Sequence, residues 1–538
     1  MKKSFFGFVL ILGSITLAGS CKNTDKDAAK EQGGALQSDS ALADNEKLYR
    51  PNFHFTPQKG WTNDPNGMFY YNGYYHLYFQ HYPDSTVWGP MHWGHAISTD
   101  LVSWREQPIA LYPDELGYIF SGSAVVDIEN TSGFSGDGEI PIVAMFTHHD
   151  MEADKAGEIK DESQSIAYSL NEGLSYTKYE DNPVIENPEI PDFRDPKVNW
   201  DDERKQWVMA LAAGQEIKFY SSKNLKNWQA LSTFGEGIGN HDGVWECPDL
   251  FPLQVQGTEE TKWVLLVSIN PGGPNGGSAT QYFIGDFDGT YFLLDPNFEK
   301  QLKEEHDFWV DFGKDNYAGV TWSNAASKDN GRYFMGWMSN WQYANEVPTD
   351  AWRGAMTVAR EVKLIKTPES YRLAFEPVEQ LKGYRTKKFQ KKDIAVEEEI
   401  ELIGSEKIDL SKAEVKFEIP NPQAGFKYIL SNREGDSLVF GYRSADHQFF
   451  VDRSQAGRGD FSEEFAKRPS EAPKVGKEEG INGTIILDKT SLELFYNDGT
   501  TVMTEIFFPN APFESLSIAP EDEEFTLGHI EIHEFNFN

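Results

Sequence analysis

The sequence predicts an all-β chain in two dissimilar parts, a β-propeller followed by a β-sandwich, and three observations carry that expectation. Up to about residue 365 the chain reads as short alternating runs, such as Tyr74-Tyr75-His76-Leu77-Tyr78-Phe79 and Trp207-Val208-Met209-Ala210-Leu211. Asn-Gly, Asp-Gly and Pro-containing turns separate them, and sustained helical periodicity is almost absent. One pattern recurs, from His95 to Trp104, from Lys218 to Trp228 and, more loosely, from Ser165 to Tyr176. Each copy is a strand, a polar turn and a second strand opening on an aromatic residue, as in successive sheets of a propeller. Two unrelated hairpins sharing turn chemistry are the alternative. Finally, all 14 tryptophans lie between Trp61 and Trp352, which places a boundary near 365–395.

Taken in order, the chain opens on Lys2 and Lys3, then an apolar run from Phe5 to Leu12 continuing through Ile15 to Ala18, then small residues. This is the pattern of a secretory signal over 1–20. Leu17-Ala18-Gly19-Ser20-Cys21 resembles a bacterial lipobox, which makes Cys21 the acylated first residue of the exported protein; an ordinary signal peptide with a chance cysteine is the alternative. Residues 21–48 are built largely of Ala, Asp, Lys, Ser, Gly and Gln and read as a flexible tether. Asp25 and Asp27, just past Cys21, favour the outer face of a bacterial outer membrane over the periplasmic one. The propeller is expected over 49–365 and a linker over 366–395. A sandwich follows over 396–538, from alternating runs such as Val415-Lys416-Phe417-Glu418-Ile419 and Ser491-Leu492-Glu493-Leu494-Phe495.

A chain of 538 residues holds roughly three average domains or two large ones. Its 85 Asp and Glu against 49 Lys and Arg give a net charge of −36, which excludes nucleic acid as a partner. The 14% aromatic content places that acidity on a folded surface. With only two cysteines, Cys21 and Cys247, neither a disulfide framework nor a four-cysteine zinc site is possible. No apolar run beyond the signal is long enough to span a bilayer, so the membrane is met only through the lipid anchor.

Three acids stand in constrained settings: Asp64 in Trp61-Thr62-Asn63-Asp64-Pro65-Asn66-Gly67, Asp195 in Phe193-Arg194-Asp195-Pro196, and Glu246 in Trp245-Glu246-Cys247-Pro248-Asp249. Asp-Pro pairs are common turn formers, but a proline also restricts its predecessor, so Asp64 and Asp195 are expected on extended, pre-ordered backbone. These three segments, in this order and spacing, resemble those of glycoside hydrolase family 32, the β-fructosidases. Tyr78-Phe79-Gln80, Trp88-Gly89, His92-Trp93-Gly94-His95-Ala96, Phe120-Ser121-Gly122-Ser123-Ala124 and Asn340-Trp341-Gln342-Tyr343 strengthen the resemblance over about 50–365.

The resemblance implies a five-bladed propeller followed by a sandwich, and no cofactor or metal. It makes Asp64 the nucleophile, Glu246 the acid/base and Asp195 the group that holds the fructosyl hydroxyls, with Arg194 beside it. It also places Asn63, Gln80, Trp88, Phe120, Ser121 and Trp341 around the fructosyl pocket. A retaining hydrolase needs one ionised and one protonated carboxyl about 5 Å apart. Asn63 suits an ionised Asp64, and the indole and thiol flanking Glu246 suggest weakly polar surroundings that keep its proton.

The activity this implies is release of terminal fructose from levan or inulin, and possibly from sucrose. The stretch from Asn340 to Met356 favours exo over endo action, leaving an endo-levanase or a sucrose-preferring invertase as alternatives. A fructosyltransferase and a non-catalytic surface glycan-binding lipoprotein are the others. His76, His81, His92, His95 and His148-His149-Asp150 fit no metal-ligand spacing in strands. The stretch Pro271 to Gly277 lacks the Lys-Ser or Lys-Thr of a phosphate loop and reads as a pocket-rim loop. Cys247 has no nearby histidine partner segment and is expected to pack beside Glu246.

Overall fold

A computed structural model of the chain describes residues 39–136, 138–305, 307–325, 331–404, 406–420, 425–476 and 480–537. The expected signal, Cys21 and the tether up to residue 38 lie outside the described residues.

Five antiparallel sheets follow one another along the chain, here blades I to V. Their innermost strands are Gly60–Tyr71, Tyr118–Val126, Phe193–Asp201, Val244–Gln254 and Tyr317–Thr321. Each packs against the innermost strands of the blades before and after it, and the fifth returns to the first, so the ring closes. Closure is reinforced by Trp352–Arg353, which pairs in parallel with Gly60 and Trp61 on the open edge of blade I. An innermost strand is covered on both faces, which explains the nearly continuous burial of Gly60–Tyr71 and its lack of polar alternation.

Two six-stranded sheets form the second part. One carries Arg385–Val396 at its edge, then Phe525–Phe535, Lys412–Ile419, Ile481–Asp488, Ser491–Tyr496 and Thr501–Ile506. Alternating burial in Lys412–Ile419 and Phe426–Ser431 marks strands with one face on the sandwich core. One hydrophobic cluster runs from the propeller into the sandwich.

Buried ion pairs cross the junction. Arg360 of blade V binds Asp311 at 2.9 Å and Glu493 at 2.6 Å. His54, in the segment leading into blade I, lies between Asp488 at 2.9 Å and Glu493 at 2.8 Å. Asp488 also accepts the backbone N–H groups of Asn52 and Phe53.

Two expectations change. Residues 366–395 are not a linker: Tyr371–Pro377 pairs with Arg360–Lys366 as the last strand of blade V, and Arg385–Val396 is the sandwich edge strand. Only a short turn containing the 3₁₀ helix Glu379–Tyr384 joins them. The charged run Arg385-Thr386-Lys387-Lys388 resembles a linker because an edge strand keeps lysines to block further pairing. The end of the expected tether is also ordered, as the helix Asp39–Tyr49. There Tyr49 packs edge-on to Phe508 with ring centroids 5.5 Å apart, and Asn45 Nδ2 donates to Pro348 O at 2.8 Å.

Candidate active site

The site is built from one irregularity repeated around the ring. Every innermost strand carries an extra residue relative to its neighbour near its start, between Thr62 and Pro65, Ile119 and Gly122, Arg194 and Lys197, Glu246 and Asp249, and Tyr317 and Val320, and Gly60–Tyr71 carries a second between Asn66 and Phe69. A bulge at a strand's start re-aims its side chains, here towards one mouth of the ring. The first unpaired residue of the bulge adopts positive φ in three blades, 66° at Asp195, 45° at Cys247 and 53° at Ala318. Asp195 is therefore not on the extended backbone expected before proline, because the bulge overrides that preference.

The last paired residues before the bulges of blades III, IV and V are Arg194, Glu246 and Tyr317, and their side chains form a row. Arg194 Nη2 donates to Glu246 Oε1 at 3.0 Å, and the Tyr317 hydroxyl donates to Glu246 Oε2. Arg194 is itself held by Glu162 at 3.0 Å and Asp192 at 2.8 Å. Glu246 is thus not in the weakly polar setting expected from its chain neighbours. Trp245 instead donates its Nε1–H to Asn240 O, while the Cys247 thiol faces the other two acids.

Asp64 accepts Asn63 Nδ2 on Oδ1 at 2.9 Å and Ser121 Oγ on Oδ2 at 2.6 Å. Asn63 is in turn fixed by Trp61 Nε1 at 2.7 Å. Asp195 Oδ2 accepts the Cys247 backbone N–H at 3.0 Å, and its own N–H donates to Thr147 Oγ1 at 3.0 Å. The Cys247 thiol bridges Asp195 and Asp64, 3.5 and 3.6 Å from an oxygen of each. It is therefore turned towards these two acids rather than packed against Glu246.

Asp64 and Asp195 are 9% and 5% exposed and the Glu246 side chain 19%, so the acids are nearly dry yet open to one side. Burial pushes all three carboxyls upward. For Asp195 burial dominates, Arg194 opposes it, and the charges of Glu246 and Asp64 add to it, giving about 8. For Glu246 burial is opposed by Arg194 and Tyr317, and for Asp64 by Ser121 and Asn63. Burial, then the three surrounding carboxylates, hold the Cys247 thiol well above its usual range, so it is no nucleophile.

Half-buried rings surround this mouth. Trp88 meets Phe120 edge-on at 6.1 Å, Phe120 stacks on His149 at 4.2 Å, and Trp341 stacks on Trp61 at 5.8 Å. The Gln80 amide nitrogen is tied between two blades. Gln80 is 2% exposed, and its Nε2 donates to Asn66 Oδ1 at 2.7 Å and Ile119 O at 3.0 Å, bracing blade I against blade II. The loop 271–277 reaches Asn340, beside Trp341, through Gly276 O. Among the described residues no cluster of His, Cys, Asp and Glu is arranged to hold a metal ion. His76 and His95 are a buried stacked pair, with ring nitrogens 3.1 Å apart.

Sequence reasoning missed Tyr317, Glu162, Asp192 and Thr147. Tyr317 occupies in blade V the rung that Arg194 and Glu246 occupy in III and IV, a register that no local sequence signal gives. Glu162 carries no local signal.

The family model for the glycosyl hydrolases family 32 N-terminal domain matches residues 54–377, and that for the family 32 C-terminal domain matches 380–534. A levanase of Bacillus subtilis is 44% identical over 500 residues, covering 92% of this chain and 71% of that protein. An extracellular exo-inulinase of Aspergillus ficuum is 38% identical over 487 residues, covering 86% and 90%. Among solved structures, exo-inulinase from Aspergillus awamori matches with a TM-score of 0.82 at 34% identity, covering 91% of this chain and 99% of that one. With the two family models matching 54–377 and 380–534 in order, the chain belongs to glycosyl hydrolase family 32 and is a glycoside hydrolase.

Proposed function

We propose that this enzyme is an exported exo-β-fructosidase that removes terminal fructose from levan or inulin, and from sucrose, with retention of configuration. The observation that carries the reading is the row Arg194–Glu246–Tyr317 standing across one dry mouth from Asp64 and Asp195. The relatives named levanase and exo-inulinase supply the substrate class.

In this reading the Asp64 carboxylate attacks the anomeric carbon of the terminal fructose while Glu246 gives its proton to the departing glycosidic oxygen. A C–O bond to Asp64 forms as the glycosidic bond breaks. Glu246, now ionised, takes a proton from water; the resulting oxygen attacks the same carbon and expels Asp64. Ser121 and Asn63 aim Asp64 and spread its charge. Asp195 binds sugar hydroxyls, and the half-buried Trp88, Phe120 and Trp341 supply apolar faces for the ring.

Glu246 must hold its proton at the start of the cycle, and burial, opposed by Arg194 and Tyr317, raises its pKa and favours that state. Arg194 and Tyr317 stabilise ionised Glu246, the state that activates water in the second half. The propeller is taken to end at 377 and the sandwich to begin at 385. Export, with Cys21 acylated at an outer-membrane face, places such an enzyme beside external polymer; Cys21→Ala is expected to release it from the membrane fraction. The test of the chemistry is the anomer of fructose first released from levan, inulin and sucrose. Free β-fructose as the main early product supports the reading, and either inverted product or a ladder of oligosaccharides overturns it.

A further inference from the structure

The opposite mouth of the ring, where the innermost strands of blades II to V end, holds a cavity of about 610 Å³ that the proposed chemistry does not use. Asp195 and Trp200 share one innermost strand, as do Glu246 and Pro252, and these separations place the two mouths about 17–20 Å apart. Two half-buried indoles line the cavity, Trp200 and Trp263. Each is braced by another ring, Trp207 with its centroid 4.8 Å from Trp200 and Phe287 at 5.2 Å from Trp263. Such rings are pre-positioned, so a ligand stacking on them freezes little side-chain freedom.

Arg332 opens the second strand of blade V and lines the same cavity. Among the described residues its guanidinium makes no hydrogen bond or ion pair, and it sits 5.4 Å from the Phe251 ring centroid. An arginine drawn into a cavity without an acceptor leaves up to five donors for a ligand. The amide of Asn199 is fixed by Leu250 O at 2.8 Å, and exposed Asp202 and Glu203 stand among the lining residues. These acids repel an anion, while carboxylates, an amide and a guanidinium beside indole faces match a neutral ring rich in hydroxyls.

We propose that this cavity is a second, non-catalytic carbohydrate site that holds a stretch of the polymer whose ends are trimmed at the catalytic mouth. The identity of the polymer rests on the function proposed above; the existence of the site does not. Holding one stretch of chain on the enzyme raises the effective concentration of its ends, a gain that a disaccharide cannot receive.

The experiment uses the full chain carrying Asp64→Asn, alone and combined with Trp200→Ala or with Arg332→Gln, and measures retention on levan and inulin. Trp200→Ala and Arg332→Gln are also made in the active enzyme and assayed on long fructan and on sucrose. Loss of one stacking platform is expected to weaken retention and raise KM for polymer by about ten-fold. Sucrose turnover, which needs only the catalytic mouth, stays at the parent level and reports intact folding. The proposal is overturned if Asp64→Asn is not retained by either polymer, or if retention and polymer KM are the same with and without Trp200 and Arg332. Failure of the parent enzyme to release fructose from any fructan overturns the catalytic reading instead, and retention lost with Trp200 still upholds the site.

Discussion

His54 clamps the propeller to the sandwich, and its charge makes that clamp sensitive to alkali. Its side chain is wholly buried between Asp488 and Glu493. Burial alone would lower its pKa, but hydrogen bonds to both carboxylates overcome that and push it up to about 9. The ordinary value is 6.5, so holding that proton stabilises the folded state by about 3 kcal/mol. Because the folded pKa is raised, this stabilisation is fully present below about 6.5 and is lost as pH rises through about 9. His54→Gln keeps hydrogen-bonding capacity but not the charge, so it abolishes the pH-dependent part. At pH 6 the variant is expected to lie about 3 kcal/mol below the parent, and at pH 9.5 the gap nearly closes. For about 500 ordered residues that corresponds to a melting difference of about 3 °C, readable by scanning fluorimetry or calorimetry at the two pH values. A difference between parent and variant that is the same at pH 6 and pH 9.5 would refute a charged His54.

Four further outcomes are expected. Glu246→Gln lowers kcat on fructan by roughly 10²–10⁴-fold, and added azide, which needs no general base to attack the glycosyl-enzyme, restores turnover of substrates with good leaving groups. Tyr317→Phe removes a donor to ionised Glu246, so the alkaline limb of the kcat/KM profile moves up by about one pH unit, read from initial rates across pH. The parent loses kcat/KM on the alkaline side as Glu246 gives up its proton, and burial, opposed by Arg194 and Tyr317, sets that limb above the usual carboxylate range. Burial pushes the Asp195 pKa up to about 8, so Asp195 costs stability as pH climbs from its ordinary range towards 8, and Asp195→Asn melts higher than the parent at pH 8 while losing activity.

The all-β class, the propeller and the sandwich were legible because turn chemistry and alternation repeat along the chain. The three acids stand out in sequence because each is followed closely by a proline in a Trp- or Arg-flanked setting. What was not legible depended on spatial register. Arg194 and Tyr317 reach Glu246 only because equal bulges place them on equivalent rungs of adjacent blades, and no local pattern announces a bulge. The same cause hid the left-handed backbone at Asp195 and turned the Cys247 thiol towards Asp64. The strand Arg385–Val396 was concealed by its lysines, which serve an edge.

The recurrent extra residue at the head of each innermost strand makes the catalytic rim modular. Each blade contributes one short insert whose exchange leaves the hydrogen-bonded rungs below it untouched, so a blade can swap an acid, a base or a ring without being rebuilt. Specificity in this architecture is therefore expected to change by single replacements at five equivalent addresses, while the walls of the ring stay as they are.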